Sequence, residues 1–541
     1  MRAGAAGRRN RRPITESAER PLGIRFPMDA MDARQCPDTG SAMPIRRCAT
    51  AETRTVGNRM GSSERAGALA LPPVAQARLG AEFAGASAPP APLTWGQQAL
   101  WAAIRRRGRE QTLMSLRRIV AMPRKGSADV ASVLRAIGAL VGRNSSLRTR
   151  IHVVDGDVRQ VVVAAGELPV LLVEAGPEGS AAEEHHGAAV AAAVADQLAA
   201  TPFDHAQEWP QRVALVRVGD RISHLVVVFS HLTVDFQAVE ILLRQLRLLL
   251  LRGGIGAPAG PQSVDVARWE QDVNRRRSAR AVAYWVRSFT RLPSRTLPWI
   301  APPATSRFQR TVLVSEAADT AVRLAARRCR VTSSTVLLAA IAVVVSRWSG
   351  NDVCGLHSMA NNRAVAGYAE AIAKLNQLGL VVVDTADRPS FDDLLPRVRQ
   401  AALEAYRHSY YDPMELRRAF EAAGLPYEAG VSPHCYVNDV RLGVDTDLFG
   451  RAVDEAQVRA AMAGTSVTPA ESLDHFTWRM RVEIIDQPRG IGIALTGDTS
   501  YLPPTHAERF LRDVERLLVE AAFGDMPWPW LPSASHEDRA I

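Results

Sequence analysis

The chain has 541 residues, 47% apolar and 6% aromatic, and a formal net charge of +10. That length can fill two sizeable cores, and the composition is that of an ordinary soluble globular protein. The basic balance argues against a nucleic-acid binder: residues 1–70 hold 13 arginines against seven acidic residues, so six of the ten net positive charges lie there, and no basic stripe is interleaved with aromatics.

Residues 1–88 are rich in Ala, Gly, Ser, Pro and Arg with little apolar periodicity, which predicts a disordered N-terminal extension. The apolar core of about 7–15 residues that a secretory signal needs is missing there. Met28, Met31, Met43 and Met60 would permit a downstream start. A helix is expected over 94–107, a strand over 113–121 and a helix over 128–142. Residues 151–163 then alternate around Asp155-Gly156, a hairpin signature. His185 and His186 stand in an Ala-rich helical stretch beside Glu183 and Glu184, which reads as a solvated face and not as a metal site. Strands over 212–218 and 223–229 complete a first half, a helix follows over 237–252, and the Gly- and Pro-rich residues 253–261 read as a linker.

The second half opens with a strand over 310–315 and helices over 316–330 and 333–347. The run 336–345 is the longest uninterrupted apolar stretch at ten residues, too short for a bilayer that needs ~20, so it reads as a buried helix capped by Thr332 or Ser333 and closed by Arg347. Strands over 380–385, 478–485 and 490–496 and helices over 391–409 and 505–522 follow. The expected fold class is α+β, with lobes over 89–260 and 261–530 and a tail over 531–541. Five cysteines, Cys36, Cys48, Cys329, Cys354 and Cys435, lack CxxC spacing, which predicts reduced thiols, a cytoplasmic protein, and neither disulfide framework nor metal site. Lysine occurs only as Lys125 and Lys374, so the basicity is almost entirely arginine.

Chemistry is most expected from Ser230-His231-Leu232-Thr233-Val234-Asp235-Phe236, between the apolar run 223–229 and the helix 237–252. A strand-to-helix junction commonly opens on a cleft, and a helix N-terminus disfavours imidazolium, leaving His231 available as a neutral base. Asp235 also stands where an N-cap would, worth about 1 kcal/mol and no catalysis.

Other segments bear on that choice. Leu93-Thr94-Trp95-Gly96-Gln97-Gln98-Ala99-Leu100-Trp101 resembles the (S/T)xxQxxLW motif of the condensation domains of nonribosomal peptide synthetases, and Arg143-Asn144-Ser145-Ser146-Leu147-Arg148-Thr149 resembles their RHxxLRT motif. Residues 230–236 fall where that family has HHxxxDG. Asp265-Val266-Ala267-Arg268-Trp269, the pair Tyr284-Trp285, the turn Asn361-Asn362-Arg363, Asn376 and, loosely, Tyr501 are similar to later family segments, so the resemblance covers roughly residues 90–525.

The resemblance implies two chloramphenicol acetyltransferase-like lobes forming a V-shaped pseudodimer, with His231 at the floor of a tunnel. It implies a free-standing acyltransferase of natural-product biosynthesis, forming an amide or ester from an acyl thioester. The thioester would sit on the phosphopantetheine arm of a carrier protein acting in trans, or on coenzyme A, and the acceptor would be a small amine or alcohol. No permanent cofactor, metal, nucleic acid or membrane is implied. His231 would be the catalytic residue, Asp235 a structural residue paired with an arginine, for which Arg143 is the candidate, and Ser230, Phe236, Trp269, Arg363 and Asn376 would line the substrate tunnel. The chain departs from the family in Ser230 for the first histidine, Phe236 for a glycine, Asn144 for a histidine, and Ile372-Ala373-Lys374-Leu375 for a glycine-containing turn. Phe236 opens an alternative, a catalytically degenerate relative that recruits a carrier protein or tailoring enzyme.

Overall fold

A computed structural model describes residues 76–107, 115–123, 129–154, 156–176, 181–294, 296–303, 306–426, 432–441 and 453–530. Residues 1–75, with Cys36, Cys48 and the alternative start methionines, and the tail 531–541 lie outside the described residues.

The first half contains β1 (Gln76–Ala84), β2 (Ala88–Pro92), α1 (Trp95–Arg107), β3 (Ser115–Ala121), α2 (Val130–Arg143), β4 (Thr149–Val154), β5 (Asp157–Val162), β6 (Ala165–Glu174), α3 (Ala181–Ala199), β7 (Gln211–Val218), β8 (Arg221–Ser230) and α4 (Phe236–Arg252). β1 is a correction, because it begins inside the segment expected to be an extension to residue 88. Its nine residues pair antiparallel with β6 from Gln76↔Val173 to Ala84↔Ala165, and Ala81 and Phe83 point into the core. Its alternation, with Leu79, Ala81 and Phe83 on one face and Arg78, Gly80 and Glu82 on the other, becomes a strand only when β6 supplies its partner.

Five strands form one sheet in the order β1-β6-β7-β8-β3, while β2-β5-β4 form a small second sheet. Helices α2 and α4 cover one face of the larger sheet through Val133, Ile137, Val141, Val239 and Leu242, and α3 covers the other through Val190, Ala191 and Val194. Burial on both faces explains why the middle of β8, Leu225 to Phe229, is an uninterrupted apolar run. The expected hairpin is present: Val154 pairs with Asp157, and Gly156 turns the chain at φ +84°.

After the linker come α5 (Ser263–Gln271), α6 (Arg275–Thr290), β9 (Phe308–Ser315), α7 (Glu316–Cys329), α8 (Ser333–Ser349), β10 (Val353–Ala360), β11 (Gln377–Asp384), α9 (Phe391–Arg407), α10 (Pro413–Ala422), β12 (Ser432–Asp439), α11 (Glu455–Ala461), β13 (Ser466–Leu473), β14 (Trp478–Asp486), β15 (Ile491–Asp498) and α12 (Pro504–Phe523). Seven strands form a sheet in the order β11-β10-β12-β14-β15-β9-β13. Helices α7, α8, α9 and α12 pack on one face, and α8 is so enclosed that every residue from Val336 to Val345 is buried, the reason for that apolar run. Thr332 is its N-cap, accepting from Thr335 N, and Gly350 ends it in the left-handed region. Among the described residues no single helix is long and apolar enough to cross a membrane.

The two halves interlock through residues 361–376, the connection between β10 and β11. Ile372 joins the core of the first half, its N–H donates to Pro261 O at 2.8 Å, and Ser146 Oγ donates to its carbonyl. Thr94 Oγ1 donates to Lys374 O at 3.2 Å. Gly96 makes that approach possible: a Cβ there would stand 2.3 Å from Lys374 O.

Candidate active site

β8 carries the chain to Ser230, and α4 begins at Phe236 with Asp235 as its N-cap, accepting from Ala238 N at 2.8 Å. The loop between them is tightly determined. Thr233 Oγ1 donates to Ser230 O at 3.2 Å, and Ser230 Oγ accepts from Leu232 N and shares a 2.8 Å hydrogen bond with His205 Nε2. Ser230 thus anchors the loop through a histidine elsewhere in the chain, on the turn before β7.

His231 is partly exposed, and its Nδ1 lies 2.9 Å from Val234 O. A carbonyl can only accept, so Nδ1 carries the proton and Nε2 presents a lone pair. Burial, then the neighbouring Lys374 ammonium, pull His231 from 6.5 down to about 4, against the opposing bond to Val234 and the charge of Asp235. The imidazole is therefore neutral at pH 7, the protonation state of a general base.

Asp235 is 1% exposed and does more than cap α4. Its Oδ1 accepts from Arg363 Nη2 at 2.6 Å and its Oδ2 from Leu375 N at 3.0 Å. Arg363 extends the same clamp, donating through Nη1 to Ala371 O at 2.6 Å and Tyr368 O at 3.2 Å. The residue paired with Asp235 is thus Arg363 and not Arg143, which corrects the expectation. Arg143 lies at the end of α2, where its Nη2 donates at 2.7 Å to the carbonyls of Ala257 and Pro258 in the linker. Sequence spacing could not separate them, because the partner comes from the interlocking connection more than a hundred residues on. Asn144, in place of a histidine, is fully buried; its side chain donates to Leu140 O at 3.0 Å and Gln245 Oε1 at 2.8 Å, closing α2.

The other expected residues divide. Asn376 is at the site: its carbonyl accepts from Lys374 Nζ at 2.5 Å, and its side-chain Oδ1 is buried without a partner. Phe236 turns its ring to the guanidinium of Arg118 on β3, 4.5 Å from the ring centroid, and Arg118 is held by Glu240 one helical turn on. Trp269 stacks on Tyr368 at 5.6 Å, three contacts removed from Asp235 by way of Tyr368 and Arg363.

Two residues at the interlock were not singled out from sequence. Lys374 is 5% exposed, and burial lowers it from 10.5 to about 8 despite the charge of Asp235. Its signal was available: in a chain with 66 basic residues it is one of two lysines. Glu270, 1% exposed, accepts from Trp95 N at 2.8 Å and Tyr410 Oη at 2.5 Å, and burial raises it to about 8. Among the described residues no cluster of His, Cys, Asp and Glu could hold a metal, and Cys329, Cys354 and Cys435 are free thiols.

This geometry can be set beside known proteins. The condensation-domain family model matches residues 92–424. The isonitrile lipopeptide synthase of Mycobacterium tuberculosis is 30% identical over 313 residues, 53% of this chain and 12% of that protein. A linear gramicidin synthase of Brevibacillus parabrevis is 27% identical over 353 residues, 62% of this chain and 7% of that protein. The chain thus spans a small part of the length of these relatives. Among solved structures, the condensation domain of chain release from the enacyloxin polyketide synthase superposes with a TM-score of 0.60 at 19% identity, covering 81% of this chain and 83% of that one. The X-domain from teicoplanin biosynthesis gives 0.59 at 20% identity, covering 82% and 97%. At such identities the solved structures establish the fold, and the family match, which spans more than half of the sequence and encloses His231, Asp235 and Arg363, establishes kinship: the chain belongs to the condensation-domain family.

Proposed function

We propose that this chain is a condensation-type acyltransferase, joining an acyl group held as a thioester on a carrier protein's phosphopantetheine arm or on coenzyme A to an amine or alcohol. The observation that supports it most is His231, with Nδ1–H fixed on Val234 O and Nε2 free of any protein partner among the described residues. In this reading the acceptor nitrogen attacks the thioester carbonyl, an N–C bond forms, and Nε2 takes the proton that the nitrogen loses. The C–S bond then breaks and the imidazolium returns the proton to the leaving thiolate, so amide and free thiol are the products. Asp235 and Arg363 hold the loop and touch no substrate. Placing both reactants in one site replaces a bimolecular encounter and supplies much of the acceleration.

The test is acyl transfer from a pantetheine or carrier thioester to an amine, by wild type and His231→Ala. Loss of a general base should slow the reaction about 10²–10⁴-fold. Equal rates would remove His231 from the chemistry. The recruiting alternative rests on Phe236, and a wild type inert toward every thioester while binding a carrier protein would favour it.

A further inference from the structure

The ammonium of Lys374 makes one hydrogen bond, to Asn376 O at 2.5 Å. An ammonium has three donors, so two remain without a protein acceptor among the described residues. The carboxylate that acts on it, Asp235, is already taken by Arg363, Ala238 N and Leu375 N. With His231 neutral, one carboxylate faces two cations, leaving one uncompensated positive charge on a side chain that is 5% exposed. Buried charges are as a rule paired, because an unpaired one forfeits its hydration. Lysine is also a conspicuous choice in a chain whose only other lysine is Lys125 and whose remaining cations are arginine. Beside it Asn376 offers the complementary group, a buried Oδ1 with no donor.

We propose that Lys374 determines specificity by binding a carboxylate on the acceptor, so that the acceptor is a free amino acid and not an aminoacyl thioester. This rests on the acyl-transfer reading above. An aminoacyl group on a carrier has given its carboxyl to the thioester and has nothing for the spare ammonium. A free amino acid keeps its carboxylate, which completes the donors of Lys374, while its amine can donate to Asn376 Oδ1 and lose a proton to His231 Nε2. The anion neutralises the surplus charge when the acceptor enters.

The experiment compares phenylalanine with phenylalaninamide, and alanine with alaninamide, as acceptors of an acyl group from coenzyme A and pantetheine thioesters. Wild type should favour the acid, and Lys374→Met should raise its KM about 10–100-fold, the range for a charge-assisted hydrogen bond, with little change for the amide. Lys374→Arg, which keeps the charge, should restore part of the preference. Equal use of acid and amide by wild type would overturn the proposal, as would equal losses for both in Lys374→Met. A preference for succinyl over butyryl thioesters that depends on Lys374 would overturn it too, by placing the anion on the donor. Calorimetric binding of phenylalanine and phenylalaninamide without thioester separates the two readings. Acid binding that Lys374→Met abolishes supports carboxylate recognition even where no acyl transfer occurs, whereas acyl transfer without acid preference sinks the carboxylate proposal alone.

Discussion

Asp235 and Arg363 meet at 2.6 Å, the aspartate at the head of α4 in the first half and the arginine in the connection that reaches over from the second. Their side chains are 2% and 8% exposed, so the pair is a buried joint between the halves, placed directly behind the loop that carries His231. Removing one member of such a pair strands the other charge. Asp235→Asn or Arg363→Gln should each lower unfolding free energy by ~3–5 kcal/mol. Denaturant unfolding of both single mutants and the double mutant checks this, and additive losses would show that the two side chains are not coupled.

Arg143 makes the opposite prediction. Its bonds go to two linker carbonyls, so Arg143→Ala should cost about 1 kcal/mol and leave the rate of acyl transfer within about twofold. A large loss of turnover with unchanged stability would restore it to the site.

Phe236 is expected to matter for stability through Arg118. The guanidinium is nearly buried, sits on the ring and is fixed by Glu240. Phe236→Gly removes that face and places glycine in the first turn of α4, a loss of about 1–3 kcal/mol. Phe236→Leu keeps the bulk without the π face and should lose less. Thermal unfolding of both variants, alone and combined with Arg118→Met, tests the contact; a loss that persists in full beside Arg118→Met would remove it.

Protonation predicts two opposed trends in stability. Burial brings His231, His205 and His434 to about 4 and His357 to about 3, all below their unfolded value of 6.5. Below 6.5 the unfolded chain takes up protons that the folded chain refuses, so stability falls as the pH drops toward about 4. Glu270 acts in the other direction: its folded value, near 8, exceeds the unfolded 4.5, so its contribution is complete below about 4.5 and is lost as the pH rises through about 8. Melting temperatures across pH 4–9 should show both flanks, and Glu270→Gln should flatten the alkaline one. An alkaline flank unchanged in Glu270→Gln would assign that proton elsewhere.

The same groups shape the rate. With His231 near 4, kcat/KM for an alcohol acceptor, which does not itself titrate in this range, should hold nearly level from pH 7 down to about 5 and fall only below that. Removing the adjacent cation in Lys374→Met should move this acid limb upward, toward but not reaching 6.5, since burial remains. A wild-type limb already at 6.5 would mean that water reaches the imidazole freely.

What the sequence determined by itself are the features written in neighbouring residues. The strand 223–229, the helix from 237 with Asp235 at its N-cap, the Asp155-Gly156 turn signature and the buried run 336–345 are written in periodicity, capping and turn chemistry acting within a few residues, and the ordered motifs from Leu93 to Asn376 carried the family and pointed to His231. Only the tertiary structure decided which arginine faces Asp235, where Phe236 points, and that Lys374 is a buried cation with donors to spare. The first and last depend on residues 361–376 crossing into the other half, the place of Phe236 depends on β3 pairing with β8, and β1 likewise needed β6. A charge pair or a strand edge is defined by its partner, and a partner eighty or more residues away leaves no local trace; the family resemblance pointed to Arg143, and it is Arg363 that lies 2.6 Å from the carboxylate.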